Sequence, residues 1–243
     1  MIMNERFEKA RANVIYAIKE YAGLGTYGEK SIHAVLKKYI EPNTDFHEVG
    51  VFGSIADICI GNEIYEIQTR ALYKLKSKLK KFLPYYKVCV VHPIIADKTV
   101  YTFDPHTGTV LKKRKSPKKG YVYDFLPHVY GLKELISEPG ISFKIMMINA
   151  SEYRIPAVKK GRKDIKFDTV PDELVCEINI EKPSDFRKLL PVSLPDKFSS
   201  ADYASAAHMT RNDASISLGI LYKCGIIEKI DKKGNAFIYR IIE

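Results

Sequence analysis

"ADICIGNEIYEIQTR", residues 56–70, decides the fold. Gly61-Asn62 favours a two-residue hairpin turn, and strand-forming residues flank it on both sides. Such a turn pairs 60 with 63, 59 with 64, 58 with 65 and 57 with 66. Asp57 then lies opposite Glu66, with Cβ atoms about 5 Å apart, and Gln68 follows on the same face. That face also carries Ile55, Cys59 and Ile64. The other carries Ala56, Ile58, Ile60, Tyr65 and Ile67. Opposed carboxylates on a semi-apolar surface repel one another unless a cation or a proton lies between them. A hard divalent cation, Mg²⁺ or Mn²⁺, removes the conflict, so Asp57 and Glu66 are the candidate metal ligands. The plainer reading of the same spacing is an exposed hairpin face that happens to include two acids.

Outward from this hairpin, helical and strand patterns alternate. Residues 4–22 read as a first helix. A second runs from Glu29 to Tyr39, with Ile32, Val35, Leu36 and Tyr39 on one face. "FHEVGVF" is a strand before the hairpin. Leu72, Leu75, Leu79 and Phe82 mark a helix over 71–83, closed by Pro84. "KVCVVHPII" has the unbroken apolar character of a strand covered on both faces. A hairpin turning at Pro105 and Gly108, a helical segment from Asp124 and a strand over 141–155 follow. The charged stretch 158–173 reads as a connector, with a domain boundary there or near residue 180.

The 243 residues are 46% hydrophobic, enough for a large core. No apolar run approaches the ~20 residues of a membrane span, and the charged N-terminal segment has no signal-peptide core. A cytoplasmic protein that does not enter membranes is expected. Cys59, Cys89, Cys176 and Cys224 are scattered and read as reduced, small hydrophobic residues. The formal charge of +10 suits a polyanionic partner. "KKRKSPKKG" concentrates Lys112, Lys113, Arg114, Lys115, Lys118 and Lys119 without an acid. It reads as a solvated mobile loop or as a clamp on phosphates. No nucleophile elbow, P-loop, GxGxxG or HExxH occurs.

The order helix, three strands, helix, strand, with Asp57 on the second strand and Glu66-Ile67-Gln68 on the third, resembles the PD-(D/E)xK nuclease superfamily over residues 28–95. That superfamily includes restriction endonucleases and Holliday junction resolvases. The resemblance implies an α/β, restriction endonuclease-like core: a central mixed sheet flanked by helices. It implies metal binding by Asp57 and Glu66, a contribution from Glu29 on the preceding helix, and a water-activating residue at position 68. The family's lysine is Gln68 here, and its proline is Ala56. A glutamine holds water but brings no charge, so the metal alone would acidify that water. His33 could stand behind the site, although a surface or packing role suits it better, and core packing suits His92. His47 and Glu48 flank the site on the first strand, where only one of them can face it.

Residues 184–243 resemble a winged helix-turn-helix domain, with Ser199 or Ser200 as a helix N-cap. The likeness implies that Arg211, Asn212 and Ser215 meet DNA and that Lys232 and Lys233 on the wing meet phosphates. The whole also resembles a bacterial family that joins such a core, a basic Ser-Pro-Lys-Lys-Gly loop and a winged helix. The expectation is therefore two domains, 1–180 and 181–243, forming a metal-dependent nuclease on double-stranded DNA. A homodimer is compatible with it. The rival is a catalytically inactive DNA-binding protein that keeps the nuclease fold as a scaffold. A protein-interaction adaptor is a third reading.

Overall fold

A computed structural model describes residues 3–21, 31–157, 159 and 162–242. The Gly61-Asn62 turn forms as its dipeptide requires, with Gly61 in the left-handed region at φ +56°. It joins β2 (Ser54–Ile60) to β3 (Glu63–Ile67) in the expected register: Ile60 with Glu63, Cys59 with Ile64, Ile58 with Tyr65. β1 (His47–Val51) pairs antiparallel with β2 on its other side. A single 3₁₀ turn then leads into α3 (Lys76–Phe82), which crosses over to β4 (Lys87–Phe103), parallel to β3.

β4 continues far past the end of β3. Its later half pairs antiparallel with β5 (Val110–Lys115), and its whole length runs parallel to β6 (Ile141–Ile155). β7 (Ile165–Ile180) closes the far edge, antiparallel to β6. The result is an α/β architecture around one seven-stranded mixed sheet, ordered β1-β2-β3-β4-β6-β7 with β5 on β4.

Both faces of the sheet are covered. On one lie α1 (Met3–Tyr21) and α2 (Ser31–Ile40), whose Phe7, Val35 and Leu36 pack on Ile58, Ile67, Val91 and Met146. On the other lie α3 and α4 (Phe125–Val129), with Leu79, Phe82 and Phe125 against Ile64, Val88 and Val90. Each such fully buried side chain contributes about 1.5–3 kcal/mol.

The chain after β7 makes a 3₁₀ turn and a three-stranded sheet of β8 (Lys197–Phe198), β10 (Ala236–Ile241) and β9 (Ile227–Lys233). Between its strands lie α5 (Ser200–Ala206), N-capped by Ser199, and α6 (Arg211–Lys223), N-capped by Thr210. The expected boundary near 180 coincides with the end of β7. No break in packing accompanies it: Ala214, Leu218, Leu221 and Ile227 belong to the same apolar cluster as Ile64 and Val90.

Three expectations change. Much of the 158–173 connector is the first half of β7, an edge strand on which Lys166 and Glu173 are exposed. Its Asp168 and Asp172 accept hydrogen bonds from Ser31 and Ser151, and Thr169 and Val170 pair with Glu152 and Ser151 of β6. The basic block is not a free loop. Lys112–Lys115 form most of β5, exposed throughout, and the following turn is fastened by Ser116 N–H to Lys98 O and Gly120 N–H to Ala96 O. Lastly, Ala56 packs with Ile64 rather than with Ile58, and Ile55 faces solvent.

Candidate functional site

Asp57 sits where β2 is unpaired on both sides. Against β1 the pairs pass from Val49–Ala56 to His47–Ile58, skipping Glu48, which adopts φ +53°. Against β3 the recorded pairs stop at Ile58–Tyr65. A left-handed non-glycine residue costs on the order of 1–2 kcal/mol, a strain of the sort that concentrates at working sites. Glu48 itself turns to Lys37 Nζ at 2.8 Å, and His47 Nε2 lies 2.8 Å from Glu41 O. Neither reaches the carboxylates.

The interruption lets the Asp57 side chain take the place of a strand neighbour. Its Oδ2 accepts the Ile67 N–H at 2.7 Å and lies 3.3 Å from His33 Nε2 on α2. Burial pushes the carboxyl up, but the His33 ring, the Ile67 N–H and Lys78 together hold it below the ordinary aspartate range. His33 therefore touches the site directly, a role the sequence argued against.

Glu66 is only 1% exposed. One carboxylate oxygen, Oε2, receives Lys78 Nζ at 2.6 Å; the other, Oε1, is buried with no hydrogen-bond partner among the described residues. Burial first, and the Asp57 charge second, raise its pKa to about 7 in spite of Lys78. Burial and local charge thus drive the two carboxyls apart, Asp57 downwards and Glu66 upwards. Glu66 feels both the Asp57 charge and the Asp57 backbone N–H, although the β2–β3 ladder ends at Ile58 with Tyr65, one pair short of the expected 57 with 66.

Lys78 was missed in the sequence, although a signal exists. Leu75, Lys78, Leu79 and Phe82 occupy one helical stripe, so Lys78 interrupts an otherwise apolar face. Its ammonium reaches the Glu66 carboxylate from the neighbouring helix.

Gln68 stands beyond the end of β3. Its side-chain amide donates to Arg70 O and so closes the turn that follows. Its carbonyl accepts from His92 Nδ1 at 2.6 Å, and His92 Nε2 lies 2.8 Å from His128 Nδ1. Burial, then the neighbouring His128, push the His92 pKa down to about 4. Glu29 lies outside the described residues.

The candidate nucleic-acid residues are exposed but dispersed. Lys112, Lys113, Arg114 and Lys115 line the β5 edge, with Lys113 Nζ 5.5 Å from the Tyr101 ring centre and Lys115 paired to Asp97. Lys118 and Lys119 occupy the fastened turn. Arg211, Asn212 and Ser215 share the outward side of α6, where the Ser215 hydroxyl donates back to Arg211 O. Lys232 and Lys233 stand at the β9–β10 turn.

Asp57 and Glu66 offer oxygen ligands suited to a hard cation, and the unpartnered Glu66 Oε1 fits such a group. Among the described residues no cluster of three or more His, Cys, Asp or Glu is arranged for a metal. An ion here would keep much of its water, as Mg²⁺ usually does.

No solved structure matches the chain. An "Uncharacterized protein" of Treponema pallidum (strain Nichols) is 29% identical over 224 residues, spanning 89% of this chain and 87% of that protein. The family model described as "Domain of unknown function (DUF8091)" matches residues 30–181, more than half of the chain, from just before α2 to just past β7, and the chain belongs to that family.

Proposed function

We propose that the protein is a metal-dependent nuclease with a restriction endonuclease-like core, and that α5, α6 and the β9–β10 hairpin form a winged helix-turn-helix that engages double-stranded DNA. The observation that carries this reading is the buried, unpartnered Oε1 of Glu66 beside Asp57 and Lys78. A buried polar oxygen without a partner costs about 1–3 kcal/mol, and a cation ligand would remove that cost.

Asp57 and Glu66 would hold Mg²⁺ or Mn²⁺. When bound, the ion would act as a Lewis acid and lower the pKa of bound water. His33 and the Ile67 N–H fix the Asp57 carboxylate as an anion. Lys78 supplies the positive charge that Gln68 lacks, and it stands beside Glu66 rather than two residues after it. Gln68 keeps the strand end and its turn in place through Arg70 O, with its carboxamide oxygen left to orient water. Outside this centre, Arg211 and Asn212 would meet bases or phosphates from α6, and Lys232 and Lys233 phosphates from the wing.

One observation favours the rival scaffold reading: Lys78 already caps Glu66 Oε2 and leaves the carboxylate almost inaccessible. Incubating the purified protein with supercoiled, linear, branched and single-stranded DNA, with Mg²⁺ or Mn²⁺, decides between them. Cleavage that disappears in a folded Asp57→Ala variant supports the nuclease. Binding without cleavage of any substrate supports the scaffold.

A further inference from the structure

A cleft of about 990 Å³ opens where β3 ends, between β4, the fastened basic turn, α4 and the α5–α6 turn. Four cationic side chains, Arg70, Lys98, Lys118 and Lys119, face two carboxylates, Asp124 and Asp213. Lys98 is paired with Glu152 at 2.6 Å. The Asp124 carboxylate accepts the Tyr121 N–H at 3.0 Å, and that of Asp213 accepts the Thr210 hydroxyl at 2.7 Å. Arg70, Lys118 and Lys119 make no ion pair among the described residues. These three charges are left for a ligand.

The cleft is built rather than incidental. Its basic turn is tied to β4 at both ends, and Gly120 approaches so closely that a Cβ there would lie 2.4 Å from Ile95 O. On one wall the Tyr121 and His208 rings stack, with centroids 4.7 Å apart and planes 24° from parallel. On another, hydrogen bonding fixes the tautomer of His128. His92 Nδ1 must donate to the Gln68 carbonyl, so the Nε2 of neutral His92 accepts, and His128 Nδ1 is the donor. The remaining ring nitrogen, His128 Nε2, then carries a lone pair. The groups around it are Asp124, Asp213 and Lys118, besides His92.

We propose that this cleft binds one strand of nucleic acid, with Arg70, Lys118 and Lys119 on its phosphates and a base stacked against the Tyr121–His208 pair. The proposal rests on the nucleic-acid reading above. Cations that track a backbone beside an aromatic platform are the means by which single strands are held without regard to sequence. A duplex fits poorly. It keeps its base faces inside its own stack, and the cleft is at the upper end of the roughly 300–1,000 Å³ of small-ligand sites. Arg70 also stands only four residues beyond Glu66, at most about 14 Å along an extended chain. A strand in the cleft would lead towards the carboxylates.

The test is fluorescence anisotropy of the full chain with labelled dT12 in EDTA, so that a failure of cleavage cannot be mistaken for a failure of binding. The triple variant Arg70→Ala/Lys118→Ala/Lys119→Ala should bind at least about tenfold more weakly. Its plot of log affinity against log salt should be flatter by about 2, at roughly 0.7 per lost phosphate contact. His208→Gly, which suits the residue's φ of +54°, should weaken binding about tenfold through lost stacking. Unchanged affinity in both variants overturns the proposal. So does a 12-base-pair duplex that binds as tightly with the same sensitivities. Displacement of dT12 by thymidine monophosphate or inorganic phosphate at equal phosphate concentration would assign the cleft to a free phosphate ester and overturn the strand.

Discussion

Lys78 Nζ lies 2.6 Å from Glu66 Oε2, reaching from α3 to a carboxylate at the middle of the sheet. The pair is a charge placed deliberately in an apolar stripe, since Leu75, Leu79 and Phe82 around it are all buried. Removing one partner of such a pair costs far more than the pair itself contributes, because the other charge is left in the protein interior.

Lys78→Met should therefore destabilise the protein by roughly 3 kcal/mol or more at pH 8. At pH 5, where Glu66 takes up a proton, the cost should be much smaller. The double variant Lys78→Met/Glu66→Gln should recover most of the loss. Urea unfolding at both pH values measures it, and an equal loss at pH 5 and pH 8 would show that packing, not charge, is responsible.

Glu66 has a folded pKa of about 7 against an ordinary 4.5. A raised pKa contributes stability that is fully present below 4.5 and lost as pH rises through about 7, a change on the order of 3 kcal/mol. Glu66→Gln lacks that loss, so its melting temperature should rise relative to the parent between pH 4.5 and pH 8. Mn²⁺ should raise the parent's melting temperature at pH 8, by about 2.7 kcal/mol of stability at a hundred times its dissociation constant. It should not raise that of Asp57→Ala or Glu66→Gln; a metal response in those variants would place the ion elsewhere.

For cleavage, the geometry ranks the residues. Asp57→Ala should abolish the reaction. Lys78→Ala should lose on the order of 10²-fold, the contribution of a positioned catalytic group. Gln68→Ala should lose less than tenfold, because its amide serves the Arg70 carbonyl. Single-turnover rates on a folded set of variants give the order, and a large loss at Gln68 with none at Lys78 would return the water-orienting role to Gln68.

For duplex binding, Lys112–Lys115 and the β9–β10 turn offer two separate basic edges. Lys232→Ala/Lys233→Ala should flatten the salt dependence of affinity by up to about 1.8, at 0.9 per phosphate. Replacement of Lys112 and Lys113 should flatten it independently. If neither pair changes the slope, the duplex lies on another surface.

The β2–β3 hairpin was legible because the Gly61-Asn62 turn and the alternation around it agree. The helical spacing over 71–83 was legible too, with Leu72, Leu75, Leu79 and Phe82 all buried, although Leu72–Leu75 form a 3₁₀ turn and α3 itself begins at Lys76. β7 was not: as an edge strand it carries Lys166, Asp168 and Glu173 among its ladder residues, and such charge mimics a connector. β5 has no buried face, and it was legible only through its turn: the hairpin expected at Pro105 and Gly108 forms, with Val110–Lys115 as its second arm. In the site, the hairpin register singled out Asp57 and Glu66, whereas Lys78 shows in the sequence only as a charge within an apolar helical stripe, a spacing that does not name Glu66 as its partner.

β4 carries more than its share of the molecule. Val90 pairs with Glu66, Ile94 and Ile95 line the cleft, and Val100 pairs with Arg114 of the basic edge. Between Ile95 and Lys98 the strand advances three residues while β6 advances two, so one residue is supernumerary. That single residue sets the parity of everything after it, turning Val100 and Thr102 inward and leaving the alternate positions to the other side. Deleting Ala96 would give a more regular ladder and an inverted outer half. The exposed turn at 105–108 can change length without moving either strand, but β4 can change only by two residues at a time if its outer half is to keep its faces.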